Sequence, residues 1–330
     1  MRPIVTILFI CFTLNLSAKT VIDMAGRTVE IPEEIEKILP YDSKTSILLY
    51  PLLNDKMVAA AMLPGKKNYQ FISSQYASIP EVDVKNIEEV FSVAPQLIFA
   101  GFYDKNENKE SVLKLGARLS IPVVFIDLSI DNLDQTYIFL GKLFHKEVES
   151  KKYVSFLNDL YYQIDSLKKV TPAIKATAYY TLGTTGLLTD PSGSKHTEVF
   201  DFLNIPNAAK VDIPSGGHAQ VNMEQVLMWN PDYIFTASFK GNSSAFLSIT
   251  KDSKWKSIHA VQKGNVYQVP GKPFAWFDHP PSINRIPGAI WLCQLFYGQS
   301  ETDTRTSIIQ FYKLFYNYEL TPAEYLSLFN

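Results

Sequence analysis

The residues best equipped for chemistry in this chain sit in two segments. SGGHAQ, residues 215–220, presents His218 behind two glycines that let backbone come close to a ligand. A neutral imidazole there can fill an open position on a bound metal or hydrogen-bond a ligand. PFAWFDHPPSINRIPG, residues 273–288, holds Trp276 and Phe277 in a proline-bounded stretch and follows them with Arg285. The Arg285 fork suits a carboxylate or phenolate, or can pair with Asp278 seven residues earlier. Ser282 is placed to cap the helix that follows, and Pro287 inside the helical pattern is expected to kink its first turns. His145 and His259 read as helix-surface residues and His196 as a rim residue. With no HxxxH or CxxC pattern, a dedicated metal site of protein ligands alone is not expected. Asp278, His279, Ser282 and Ser215 can be assembled into a hydrolase set. No G-x-S-x-G elbow and no paired carboxylates support that assembly, so no enzyme activity is expected.

A second signal is a phrase written twice. Residues 86–100 read NIEEVFSVAPQLIFA and residues 222–237 read NMEQVLMWNPDYIFTA. Asn86 and Asn222 are natural N-caps, and Glu89 and Gln225 can reach back to the cap N–H and close a capping box. Pro95 and Pro231 end each short helix and launch a strand. Glu88 and Glu224 are left without a structural task beyond the favourable energy of an acid at a helix N-terminus, about 0.3–1 kcal/mol. Their recurrence suggests two equivalent acidic points on one face of a two-lobed body.

These residues need elements to hold them. VIDMAGRTVEI reads as two short β-runs around Ala25-Gly26. After it, strand and helix signals alternate: KILP, TSILLYPLL, KMVAAAM, IEEVFSV, QLIFA, KESVLKLGARL and PVVFID. That pattern argues for a parallel α/β sheet with helices on its faces. From about 130 to 170 the β signal is absent, and ESKKYVSFLNDLYYQIDSLKK carries Tyr153, Phe156, Leu157, Leu160, Ile164 and Leu167 on one helical face. Alternation then resumes through TAYYTLG, HTEVFDFLN, DYIFTAS and NVYQVP, and the chain closes with helices. The expected fold is α/β: two Rossmann-like lobes, residues 19–145 and 172–330, joined by one long helix over 146–171, with a ligand cleft between them. Ligands in open α/β sheets sit beyond the carboxyl ends of the strands. That rule brings Tyr41, Tyr103, Thr184 and Phe239 to the cleft, with His218, Trp276, Phe277 and Arg285, and makes it aromatic with polar handles.

Composition sets the compartment and excludes some partners. The 330 residues are 46% hydrophobic and 19% charged with a net charge of −2, so neither nucleic acid nor an anionic membrane surface is indicated. Residues 1–18 read as a signal peptide, with Arg2 before an apolar run from Ile4 to Leu14 and small residues up to a cleavage point after Ala18. The run is shorter than the roughly 20 apolar residues of a membrane span. A lipid anchor at Cys11 is the weaker alternative, because bulky Ile10 precedes it. The mature chain then keeps only Cys293, which cannot form an internal disulfide and reads as a small buried apolar residue.

In the order VIDMAGRTVEIP, NIEEVFSVAPQLIFAG, LGKLFHKE, GGHAQVNMEQVLMWNPDYIFTA, PPSINRIPGAIWL and FYKLFYNYELT, nearly all of the mature chain resembles periplasmic substrate-binding proteins of ABC importers for metal chelates, of the iron-siderophore, haem and cobalamin type. The resemblance implies a monomeric periplasmic carrier with no intrinsic cofactor and little hinge bending. It implies a chelate in the cleft and delivery to an ABC permease and its ATPase. It also implies one glutamate per lobe meeting permease arginines, at the positions of Glu88 and Glu224. A ferric siderophore is the leading cargo, with a nickel or cobalt chelate, a corrinoid or haem as alternatives and His218 as a direct ligand to the chelated metal. The mature chain has only Arg27, Arg118, Arg285 and Arg305, which argues for a neutral or cationic ligand, or one held mainly by aromatics. A sensor or scaffold of the same fold is the remaining rival, in which the glutamates meet a receptor.

Overall fold

The computed structural model describes residues 18–61, 70–214, 217–237 and 245–329. Most of the proposed leader with Cys11, the Leu63-Pro64-Gly65 loop, Ser215 and Phe239 lie outside the described residues.

The opening hairpin forms as its sequence predicts. Strands β1 (Ala18–Ile22) and β2 (Thr28–Pro32) pair antiparallel, and Gly26 turns them at φ +82°. The hairpin is bolted to the edge of the first sheet. Buried Asp23 accepts from Arg27 Nε at 3.0 Å and from the Phe125 N–H at 3.2 Å, and the Arg27 guanidinium donates to the Val123 carbonyl at 2.6 Å. That cover protects an edge strand that would otherwise expose unpaired backbone groups.

The first lobe is built on a parallel sheet of β3 (Ile38–Pro40), β6 (Leu97–Phe102) and β7 (Val123–Asp127), in the order β3-β6-β7. The two-residue strands β4 (Ala60–Ala61) and β5 (Glu81–Val82) pair beside it, so the run KMVAAAM contributes less strand than its composition suggests. The second lobe holds β8 (Ala178–Leu182), β9 (Leu188–Thr189), β10 (Ala219–Gln220), β11 (Tyr233–Thr236) and β12 (Val266–Gln268), in the order β10-β9-β8-β11-β12. Strands β8, β11 and β12 are parallel, whereas β9 and β10 fold back antiparallel at one edge. Those two short strands carry too few residues for a period-2 signal, and the sequence did not reveal them.

Between the sheets runs the helix Glu147–Val170, 24 residues long, with Tyr153, Phe156, Leu157, Leu160 and Ile164 buried. It is not the only tie between the lobes. The closing helix Glu301–Phe315 packs against both this helix and the first-lobe helix Ser43–Leu53. Its exit stays on that lobe, where the Ser73 N–H donates to the Tyr316 carbonyl at 3.0 Å and Phe71 meets Tyr318 edge-on. One apolar core therefore runs from Val29 to Leu328 through both sheets.

The two copies of the repeated phrase differ at one cap. Asn222 and Gln225 close a full capping box on the helix Met223–Trp229. On the helix Ile87–Val93 the Asn86 side chain caps the first turn, but Glu89 does not reach the cap N–H as expected. That N–H already donates to the Asp83 carbonyl, so Glu89 instead accepts from the Asp83 N–H and the Asn86 side-chain amide, each at 2.8 Å. Cys293 is buried in the helix Arg285–Tyr297, where burial pushes its thiol up to about 12. Pro287 falls in the first turn of that helix, where N–H groups have no intrahelical partner to lose.

That same turn contains the tightest backbone approach. A Cβ on Gly288 would stand 2.3 Å from the Trp276 carbonyl oxygen. Gly288→Ala should therefore destabilise the protein by about 1–3 kcal/mol through overpacking, read as a lower urea midpoint with unchanged slope.

Candidate functional site

The antiparallel edge of the second sheet creates the site. Ala219 pairs with Thr189 and Gln220 with Leu188, so one step further along the register Asp190 faces His218. His218 Nδ1 sits 2.9 Å from Asp190 Oδ1. The loop leaving β9 then returns His196, whose ring lies 4.7 Å from that of His218, centroid to centroid. A third imidazole arrives from far away in sequence. His279, in the 273–288 segment, is 6.3 Å from His196 and 6.4 Å from His218. Behind them is Asp278, fully buried, taking a hydrogen bond from the Tyr180 hydroxyl at 2.6 Å. Its other oxygen lies 3.1 Å from His279 Nε2 and 3.4 Å from His196 Nδ1.

This is a polar cluster in a poorly solvated place, and the protonation equilibria follow. Burial holds His196 down to about 4 and also lowers His279, despite the carboxylates beside them. Burial pushes Asp278 up to about 6 and raises Asp190, with the histidines acting in the opposite sense. Near neutral pH His196 and His279 are neutral donors of lone pairs. Among the described residues, neither Asp190 nor Asp278 has a lysine or arginine ion-pair partner.

The first lobe contributes the opposite wall. Tyr103, at the end of β6, carries Lys44 Nζ 4.8 Å and Lys195 Nζ 5.6 Å from its ring centroid. Its hydroxyl donates to the Pro281 carbonyl, which joins the two lobes, and burial raises its ionisation far above the usual phenol range. Ser282 does not cap the following helix. Its hydroxyl crosses to the Lys44 carbonyl at 2.7 Å, and Asn284 takes the cap position.

The other sequence candidates separate. Tyr41 is half-buried at the end of β3, and Thr184 is exposed in the turn between β8 and β9. Trp276 and Phe277 do not face an open cleft. Both are fully buried, with Trp276 Nε1 donating to the Tyr312 hydroxyl at 3.1 Å and Phe277 packed against Tyr180, Phe200 and Phe235. Their large apolar area makes core burial the favourable outcome. Arg285 does not pair with Asp278. It is fully buried, ion-paired to Glu198, and donates to the Ser282 carbonyl at 3.0 Å and to the Leu128 carbonyl. Glu198 in turn accepts from the Ile130 N–H at 3.0 Å, so this pair spans the two lobes. Of the clustered residues, His196 reads in sequence only as a rim residue, Asp278 and His279 only as parts of a hydrolase set, and Asp190 not at all. Their only sequence signal was the concentration of histidine and aspartate in loops following strands.

Glu88 and Glu224 are exposed, and neither is in an ion pair among the described residues. The equivalent next-turn residues Phe91 and Leu227 are exposed as well.

A model of the periplasmic binding protein family matches residues 41–273. The chain belongs to that family. It is a solute-binding protein of the kind that serves ABC transporters. Among curated relatives, the molybdate-binding protein MolA of Haemophilus influenzae is 23% identical over 93% of each chain. The molybdate-bound structure of MolA superposes with a TM-score of 0.70 at 20% identity, over 92% of this chain and 99% of that one. An ABC transporter solute-binding protein from Sulfurospirillum deleyianum gives a TM-score of 0.82 at 23% identity, over 94% and 98%. Helicobacter pylori CeuE, in a nickel–histidine complex, gives 0.66 at 15% identity, over 95% and 100%. These likenesses show the fold. No helix among the described residues is long and apolar enough to cross a membrane.

The Arg285–Glu198 pair makes a stability prediction. Glu198→Ala leaves a buried guanidinium without its counter-ion and should cost about 3–5 kcal/mol in equilibrium denaturation. The double variant Glu198→Ala, Arg285→Met should recover part of that loss, because the stranded charge is gone.

Proposed function

We propose that this protein is exported through its N-terminal leader and carries a small metal-containing solute in the periplasm to an ABC permease, with the cargo seated at His196, His218 and His279. The single observation behind this reading is the convergence of three imidazoles on two buried carboxylates, opposite Tyr103 and Lys44 of the other lobe. A ferric siderophore fits this arrangement less well than the nickel or cobalt alternative. Ferric siderophores fill the ion's positions with hard oxygen donors of their own, whereas a partly liganded nickel or cobalt complex leaves positions that imidazoles can take. The aromatic wall that a large chelate would use is also reduced, because Trp276 and Phe277 belong to the core.

A second reading has its own observation. Lys44 and Lys195 flank Tyr103 beside the histidines, and ammonium and imidazole N–H groups can hold a tetrahedral oxyanion such as molybdate, the ligand of the relative MolA. Titration calorimetry with a nickel–histidine complex and with molybdate separates the two. The first reading expects His218→Ala to abolish binding of the nickel complex while Lys44→Ala changes it little. Molybdate affinity that collapses in Lys44→Ala, with no nickel binding, favours the oxyanion.

Delivery is assigned to Glu88 and Glu224. Each stands in the first turn of a matched helix, one per lobe, with an exposed apolar neighbour at the same position of the repeat. Exposed acids of this kind set docking register and encounter rate more than affinity for cargo. The double variant Glu88→Ala, Glu224→Ala should keep cargo affinity within twofold yet lower uptake at least tenfold in cells carrying the cognate permease. Unchanged uptake would remove the docking role.

A further inference from the structure

The chelate reading treats the protein as a cradle around a cargo that brings its own ligands. The cluster carries a stronger statement, which rests on that reading of the cleft. One donor atom from each of Asp190, His196 and His218 lies within 4.8 Å of the other two. We propose that Asp190, His196 and His218, with His279 as a fourth contact, coordinate a divalent first-row transition cation directly, so that the protein binds the bare ion without a chelator.

Three independent features support this. The first is spacing. Three imidazoles bonded to one ion at about 2.1 Å with near-tetrahedral angles place their ring centroids about 5 Å apart. His196 and His218 already stand 4.7 Å apart, and His279, at 6.3 and 6.4 Å, needs a shift of about 1 Å to join them on the same bond-length rule. The second is charge. Asp190 and Asp278 are both fully buried and face histidines rather than fixed cations, and a divalent ion supplies the missing positive charge. The third is unmet hydrogen bonding. Asp190 Oδ2, Asp278 Oδ2 and His196 Nδ1 are buried with no aligned hydrogen-bond partner. Buried polar atoms of this kind call for a partner, and a bound cation beside them supplies one.

Asp278 also sits where an outer layer of ligands belongs. Asp278 faces His279 through Nε2 and His196 through Nδ1, while Asp190 Oδ1 and His218 Nδ1 stand 2.9 Å apart, close enough to bond one ion side by side. A carboxylate behind a ligating histidine fixes the ring and raises its basicity, and losing it costs about 10–100-fold in affinity. Gly217 turns the loop beside His196 at φ +87°, a conformation that favours glycine.

The experiment uses the mature chain, stripped with EDTA and titrated with NiCl2, CoCl2 and ZnCl2 in non-coordinating buffer. The expected result is one ion per chain by elemental analysis after gel filtration, with visible Co²⁺ absorption from nitrogen ligation. His196→Gln and His218→Gln should each weaken binding at least 100-fold, and Asp278→Asn by about 10–100-fold. His259→Gln, whose imidazole pairs with Asp232 elsewhere on the second lobe, should bind as the parent does. Absence of a retained ion would overturn the proposal. So would unchanged binding in the His196→Gln, His218→Gln double variant with parental circular dichroism, or uptake of nickel only as its preformed histidine complex. The carrier role fails separately. A protein that takes the bare ion but supports no uptake keeps this site and loses the importer reading. One that supports uptake of a chelate yet takes no bare ion does the reverse.

Discussion

The buried Arg285 guanidinium is the constraint on which the site depends. Taking that charge out of water is affordable only with full compensation, and Glu198 and the carbonyls of Ser282 and Leu128 provide it. Those partners come from the second lobe, the 273–288 segment and the first lobe. Satisfying one cation therefore fixes three parts of the chain against each other. Asp278 and His279 lie a few residues before Arg285, and Glu198 lies two residues after His196, so the pair also fixes the two loops that carry the histidines. The shared apolar core and the returning helix Glu301–Phe315 add to the same restraint, which suits a carrier with little hinge bending.

The site itself is an exchange of solvation for geometry. Water would hydrate imidazoles and carboxylates individually and leave them free to turn. Burial removes that hydration, keeps His196 and His279 neutral, and forces each ring to settle against a carboxylate. The same burial gives Tyr103 a second task, because its hydroxyl must find a partner and finds the Pro281 carbonyl across the cleft.

Much of the fold was legible in the sequence. The opening hairpin, the alternation of strands and helices and the long helix ending at Thr171 all appear where local pattern placed them. These features are set by nearest neighbours, periodicity and caps, which a linear reading captures. Of the residues gathered around the three imidazoles, the sequence pointed to His218 and Tyr103 as cleft residues. Trp276 and Phe277 look the same in sequence whether they line a cleft or fill a core, and the core won through their apolar area. Arg285 was recognised as important, but its partner Glu198 is 87 residues away and nothing local points to it.

By itself the sequence determined a two-lobed α/β chain with a twice-written helix start, and it singled out Glu88 and Glu224 because capping explained their neighbours. Only the tertiary structure decided that His196, His218 and His279 meet. The reason is physical. Two strands of two residues each, β9 and β10, are too short to have a sequence signature, yet their register brings Asp190 to His218. The fully buried Asp278 carries His279 in from nearly ninety residues downstream of Asp190.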